Sequence, residues 1–169
     1  MTTKALACGL ATALALAAPV AVAAPLFAAR PTVAEIDASL ARYGARATVG
    51  ALFDQRRWDF VSDRIGAGDG AFVALAARLA PGADAGTAED LPIALAFALP
   101  RNAPAVLAAL AAPGGGFDVG EVCDAPFIED TVSDLPGYRR QAAIAVRHVA
   151  DPRLATVKAA CLAALDSEG

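Results

Sequence analysis

Basic residues, histidine and cysteine are all scarce in this 169-residue chain, which has 14 Lys and Arg, one His and three Cys. Only Lys4 falls within the first 29 residues, so the remainder carries 13 basic against 18 acidic residues, a net charge of −5. The only adjacent basic pairs there are Arg56-Arg57 and Arg139-Arg140, and Lys158 is its sole lysine. Nucleic-acid binding needs a basic footprint that neutralises phosphates and releases their counterions, and none is present. The same deficit argues against an anionic membrane surface. Three cysteines are too few for a disulfide-dense small scaffold. Aromatics make up only 6%, and alanine is the largest part of a 57% hydrophobic content that is too high for a disordered chain.

What is there begins with a leader. Residues 5 to 29 carry no charge and follow a short positive start at the amino terminus and Lys4. Ala21-Val22-Ala23 offers a small-x-small cleavage pattern, so residues 1–23 read as a secretory signal peptide, with Ala24 first in the mature chain. A retained transmembrane anchor is the alternative, disfavoured by the alanine-rich run and by Pro19 within it. Cys8 has too short an apolar run before it for a lipoprotein site and goes with the leader. Two cysteines remain, Cys123 and Cys161, and an even pair in an exported chain predicts one disulfide. Closing that loop should stabilise the fold by about 4 kcal/mol in the chain-entropy view.

Residues 24–169 read as a single all-α domain. Thr32 and Glu35 have capping-box spacing, and Val33, Ile36, Leu40 and Tyr43 follow at helical intervals up to Gly44. Val49, Leu52 and Phe53 mark a short second helix, and Trp58, Val61 and Ile65 a third. After Gly66-Ala67-Gly68, Asp69 can cap a helix with Phe72, Leu75, Ala76 and Leu79 inward. Leu91 to Leu99 lacks a polar face, which predicts a surrounded helix with Leu95 and Phe97 at the core centre. Asp90 is its expected cap because Pro92 is tolerated only in a first turn, and a start at Thr87 with a kink is the alternative. Asn102 caps the next helix, Pro113 to Gly116 is a candidate hinge, and a short segment spans Val119 to Cys123. Leu135 to Val149 and Asp151 onwards complete the pattern, with Cys161 on the inward stripe. Successive helices joined by Pro/Gly turns resemble HEAT-like helical-hairpin arrays. The spacing of Pro81, Pro100 and Pro113 is too irregular for a regular solenoid, so the expectation is a compact domain of α-α hairpins.

One further resemblance runs through Trp58, Val61, Ile65-Gly66-Ala67-Gly68-Asp69, Asp84-Ala85-Gly86, Ala98-Leu99-Pro100, Pro104, Val106-Leu107 and Cys123 with Pro126-Phe127-Ile128-Glu129. Over about half of its length the chain resembles short exported proteins of unknown function from proteobacteria. The resemblance implies export and no catalytic residue.

The chemistry-bearing residues are few. His148 is the only imidazole, it sits off the apolar stripe, and no G-x-S-x-G accompanies it. One His and two distant Cys do not make a zinc site. Asp59 and Asp63 share a helix face at i, i+4 and are the candidates for a carboxylate pair or cation site, but interleaved arginines favour a solvated face. Gly66 to Gly70 resembles a phosphate loop but follows a helix, where a dinucleotide fingerprint needs a strand. Phe127, Ile128, Glu129 and Asp130 set two large apolar residues in an acidic loop and form a candidate recognition loop. The expectation is an exported, periplasmic or secreted, non-enzymatic module that uses no cofactor or metal and binds another envelope protein or has a structural role. The alternative is a carboxylate-dependent hydrolase or cation-binding protein using Asp59 and Asp63.

Overall fold

The computed structural model describes residues 25–128 and 131–167. The leader expected at 1–23, with Glu129 and Asp130, lies outside them. The described residues form eight helices and no strand: α1 Val33–Asp54, α2 Trp58–Gly66, α3 Gly70–Leu79, α4 Ala85–Ala98, α5 Ala103–Leu110, α6 Val119–Cys123, α7 Leu135–Arg147 and α8 Ala155–Asp166. Single 3-10 turns lie at Ala80–Gly82 and Pro152–Leu154. Packing follows parity. α1, α3, α5 and α7 stack in one layer, and α2, α4, α6 and α8 in the other. This is the arrangement of a helical-hairpin array, with repeats of unequal length. Among the described residues no helix is long and apolar enough to cross a membrane.

Caps set the helix starts. Glu35 N donates to Thr32 Oγ1 at 3.2 Å and Thr32 N donates to Glu35 Oε2 at 2.7 Å, a complete capping box. Asp69, Asn102, Asp118, Asp134 and Asp151 accept from N–H groups in the turns that follow them. Gly44, at φ 80°, breaks α1 into two runs, as its position predicts. Thr48 Oγ1 donates to the Gly44 carbonyl at 2.8 Å and lies 2.9 Å from Ser39 Oγ, so the kink is satisfied internally although both hydroxyl residues are buried. The kink brings α1 against Gly82. A Cβ at Gly82 would lie 2.2 Å from the Ala45 carbonyl carbon, so only glycine fits.

The start of α4 corrects the sequence reading. The helix begins at Ala85 rather than after Asp90, and Pro92 sits inside it. Asp84 N donates to Thr87 Oγ1 at 2.9 Å and the Thr87 hydroxyl donates to Asp84 O at 2.7 Å, a local tie that begins the helix two turns early. Proline removes the hydrogen bond to the Ala88 carbonyl, but Ala88 is exposed and water reaches it. At the other end of α4 Pro100 has no N–H for Ala96 O, which accepts instead from Leu99 N at 3.1 Å and from the buried Tyr138 hydroxyl at 2.8 Å, and Arg101 Nη1 bonds the next carbonyl, Phe97 O.

The core runs through Ile36, Leu52, Val61, Ile65, Leu75, Leu95, Leu99 and Leu107, all essentially without exposure. Leu95 is central as expected. Phe97 is not: it is half-buried on the outer side of α4. A helix apolar all round is here covered on one side by a loop rather than by another helix. Phe53 and Tyr43 also depart from their expected inward placement, at 62% and 47% exposed. Tyr43 immediately precedes the kink, where the stripe rotates out, and the Arg42 guanidinium lies 5.1 Å from its ring centre. Phe53 lies in the last turn of α1, where the chain bends away through Arg56 at φ 56°.

Candidate interaction surface

The loop after α6 is the most strongly anchored irregular segment. Cys123 and Cys161 form the expected disulfide, with Cα atoms 5.3 Å apart and both residues fully buried. It joins α6 to α8. Beside it, Arg139 on α7 reaches three carbonyls at the end of α8, those of Ala164, Leu165 and Ser167, at 3.2–3.3 Å. Its other terminal nitrogen donates to Asp124 O at 3.1 Å and Asp124 Oδ1 at 2.9 Å. One guanidinium thus satisfies a helix C-terminus, where positive charge is favoured, and fixes the root of the loop.

The next residue, Ala125, is held at φ 56°, in the left-handed region. Such a conformation costs a non-glycine residue about 1 kcal/mol or more and persists only where its surroundings impose it. It separates the fates of the two apolar loop residues. Phe127 turns inward, its ring centre 4.6 Å from that of Phe97 and 4.8 Å, edge-on, from that of Tyr138. Burial pushes the Tyr138 phenol above its usual range, which suits its role as a donor. Ile128 turns outward and is 74% exposed, the most exposed of the large hydrophobic residues described.

Two grooves meet at Phe97 and Arg101. The first, about 440 Å³, lies between α2 and α4, with Asp63 and Asp90 on its walls and Gly66, Ala67 and Ala94 small enough to leave it open. The second, about 390 Å³, runs on past Pro100 to Asp134, Tyr138 and Gln141. Asp90 was expected to cap α4. Instead its Oδ2 accepts a 2.8 Å bond from the indole N–H of buried Trp58. The ion pairs of the described residues are Arg64–Asp69, Arg78–Asp37, Arg139–Asp124, Arg147–Asp166 and Arg153–Asp151. Asp63, Asp90 and Arg101 belong to none of them.

The remaining candidates are placed apart. Asp59 lines a depression beside Phe53, Arg56 and Trp58 and Asp63 lines the α2–α4 groove, so the two carboxylates are neighbours on the exposed face of α2 but border different depressions. Among the described residues no three His, Cys, Asp or Glu side chains gather as a metal site. His148 is exposed at the end of α7, its Nδ1 2.7 Å from Ile144 O. Gly66 to Gly68 is the turn between α2 and α3, pinned by a 2.9 Å bond from Asn102 Nδ2 to Gly68 O. The 113–116 segment is a turn with Gly114 and Gly116 at positive φ and Gly115 buried, where a Cβ would meet Ala77 at 3.1 Å.

Arg139 and the Asp90–Trp58 bond escaped the sequence reading. Pro100 was a visible signal that a carbonyl would lose its usual donor, but the hydroxyl that joins Leu99 N on Ala96 O lies 42 residues away in sequence. Matched against protein-family models, curated proteins and solved structures, the chain finds no counterpart, and the surface has only its own geometry and chemistry to characterise it.

Proposed function

We propose that this protein is an exported, non-enzymatic helical module that docks another envelope protein through the surface made by α2, α4 and the loop between α6 and α7. The observation that carries the reading is the exposed Ile128 on a loop whose root is fixed by a disulfide and by Arg139. Rigidly presented apolar residues on loops are a usual form of protein recognition, because little order has to be acquired on binding. Export is supported by the leader pattern, by the disulfide, which persists in oxidising compartments, and by the resemblance to short exported proteobacterial proteins. The hydrolase or cation-site alternative would have to rest on Asp59 and Asp63, which are both solvent-exposed and border different depressions.

The test places a photo-crosslinking amino acid at position 128 in cells that make the protein. A discrete adduct with one envelope protein, absent when the crosslinker is moved to the exposed His148 position, supports the reading. Diffuse or absent crosslinking from position 128 overturns it.

A further inference from the structure

The groove between α2 and α4 is polar at its two ends in opposite senses. Asp90 lies within α4 and Arg101 just beyond its C-terminal end, so a carboxylate stands at one end of the groove and a guanidinium at the other, with Asp63 on the α2 wall between them. None of the three takes part in an ion pair among the described residues. Asp90 is oriented by the Trp58 indole through Oδ2, and its Oδ1 accepts no bond among the described residues. Arg101 is oriented by its bond to Phe97 O. Asp90 and Arg101 are therefore held in place without being neutralised. Between them Ala67 and Ala94 offer little side chain, while Gly66 lets α2 approach α4, where a Cβ would touch Phe97 at 3.5 Å. Phe97 supplies an apolar floor toward the Arg101 end, where the second groove begins.

We infer that this groove takes an extended segment of a partner protein, with a basic side chain against Asp63 and Asp90 and an acidic side chain or terminal carboxylate against Arg101. The inference rests on the docking reading above and names the chemistry of what docks. Charge complementarity selects the occupant. Beyond the leader the chain is net acidic at −5, so nucleic acid and anionic lipid are repelled over the long range, and a partner offering a cation is attracted. The acid-to-base order along the groove then fixes the direction in which the segment lies. Burying either charge without its counterpart is costly, so segments with one charge missing or reversed bind less well.

The experiment is selection of a random heptapeptide display library on the immobilised, disulfide-intact exported form. The expected pool is enriched about tenfold or more for Lys or Arg at one position and for Asp or Glu a fixed distance away, tenfold corresponding to about 1.4 kcal/mol. Asp63→Asn with Asp90→Asn should abolish the basic preference and keep the acidic one. Arg101→Gln should do the reverse. Unchanged circular dichroism melts of the variants confirm that the fold is kept. Trp58 is the only tryptophan, so a selected peptide should also shift the intrinsic fluorescence through the Asp90 contact. A pool without charge preference, a preference that persists in the variants, or binding that leaves the Trp58 emission unchanged overturns the inference. If those results accompany a discrete adduct from position 128, the groove inference falls and the docking reading stands. Loss of both removes both.

Discussion

The middle of the array and its C-terminal end hold together by different means. From α2 to α5 the helices run 8 to 14 residues and interlock through buried side chains such as Val61, Ile65, Leu75, Leu95 and Leu107. Their polar ties are few, among them the Trp58–Asp90 bond between α2 and α4 and the bond from Asn102 to Gly68 O. At the C-terminal end α6 is only five residues long and offers little apolar area, with Val122 and Cys123 its buried residues. A helix of that length does not stand by itself. There the disulfide and the Arg139 network do what buried area does elsewhere. Long helices can be held by surface burial, while a short one has to be tied.

The difference can be broken at the tie. Replacing Cys123 and Cys161 together by Ala should cost about 4 kcal/mol, as expected for a 38-residue separation. Urea unfolding measures the loss. Hydrogen exchange should show α6 and the following loop opening first while amides of α3 and α4 stay protected. Uniform loss of protection would mean that the two regions do not differ.

A second pair of substitutions probes the middle. Leu95→Ala removes a fully buried side chain and should cost about 3 kcal/mol. Phe97→Ala removes a half-buried ring that covers Phe127 rather than filling the centre, and should cost about half as much. Reversal of that order in denaturant titrations would return Phe97 to the core.

The smallest expected effect belongs to a local tie, the capping box of α1. Hydrogen bonds from the Thr32 backbone N–H and hydroxyl, the former the larger influence, lower the Glu35 pKa. A carboxylate with a lowered folded value stabilises the fold above its unfolded pKa of about 4.3, and the gain is lost as pH falls through the folded value. At neutral pH the protein should therefore be more stable than its Glu35→Gln variant. The gap should narrow as pH falls below about 4, read from unfolding midpoints across that range. A gap independent of pH would mean that the carboxylate charge plays no part.

What sequence patterning shows and what it hides divides along similar lines. Caps at Thr32, Asp69, Asn102 and Asp134 are written in neighbouring residues, and all form. The Cys123–Cys161 bridge follows from counting in an exported context. Asp90 shows the limit. An Asp two residues before a proline has the pattern of a cap, but the Asp84–Thr87 tie acts first, and the Trp58 indole then claims the Asp90 carboxylate from 32 positions away. Phe127 and Ile128 are adjacent and both apolar, and which one faces inward depends on where Phe97 and Tyr138 stand, which the local pattern does not show. The polarity of the α2–α4 groove was hidden for the same reason, since Asp63 and Arg101 share a surface only once the hairpins stack.

Gly44 and Gly82 have a consequence for the history of the sequence. The left-handed residue at 44 turns the following backbone toward 82, and position 82 then has no room for any side chain. Neither glycine can drift alone. A lineage that gained a side chain at 82 would first have to re-route the α1 kink, and one that straightened α1 would release position 82 to vary. The two sites should therefore be kept or lost together as a single heritable unit.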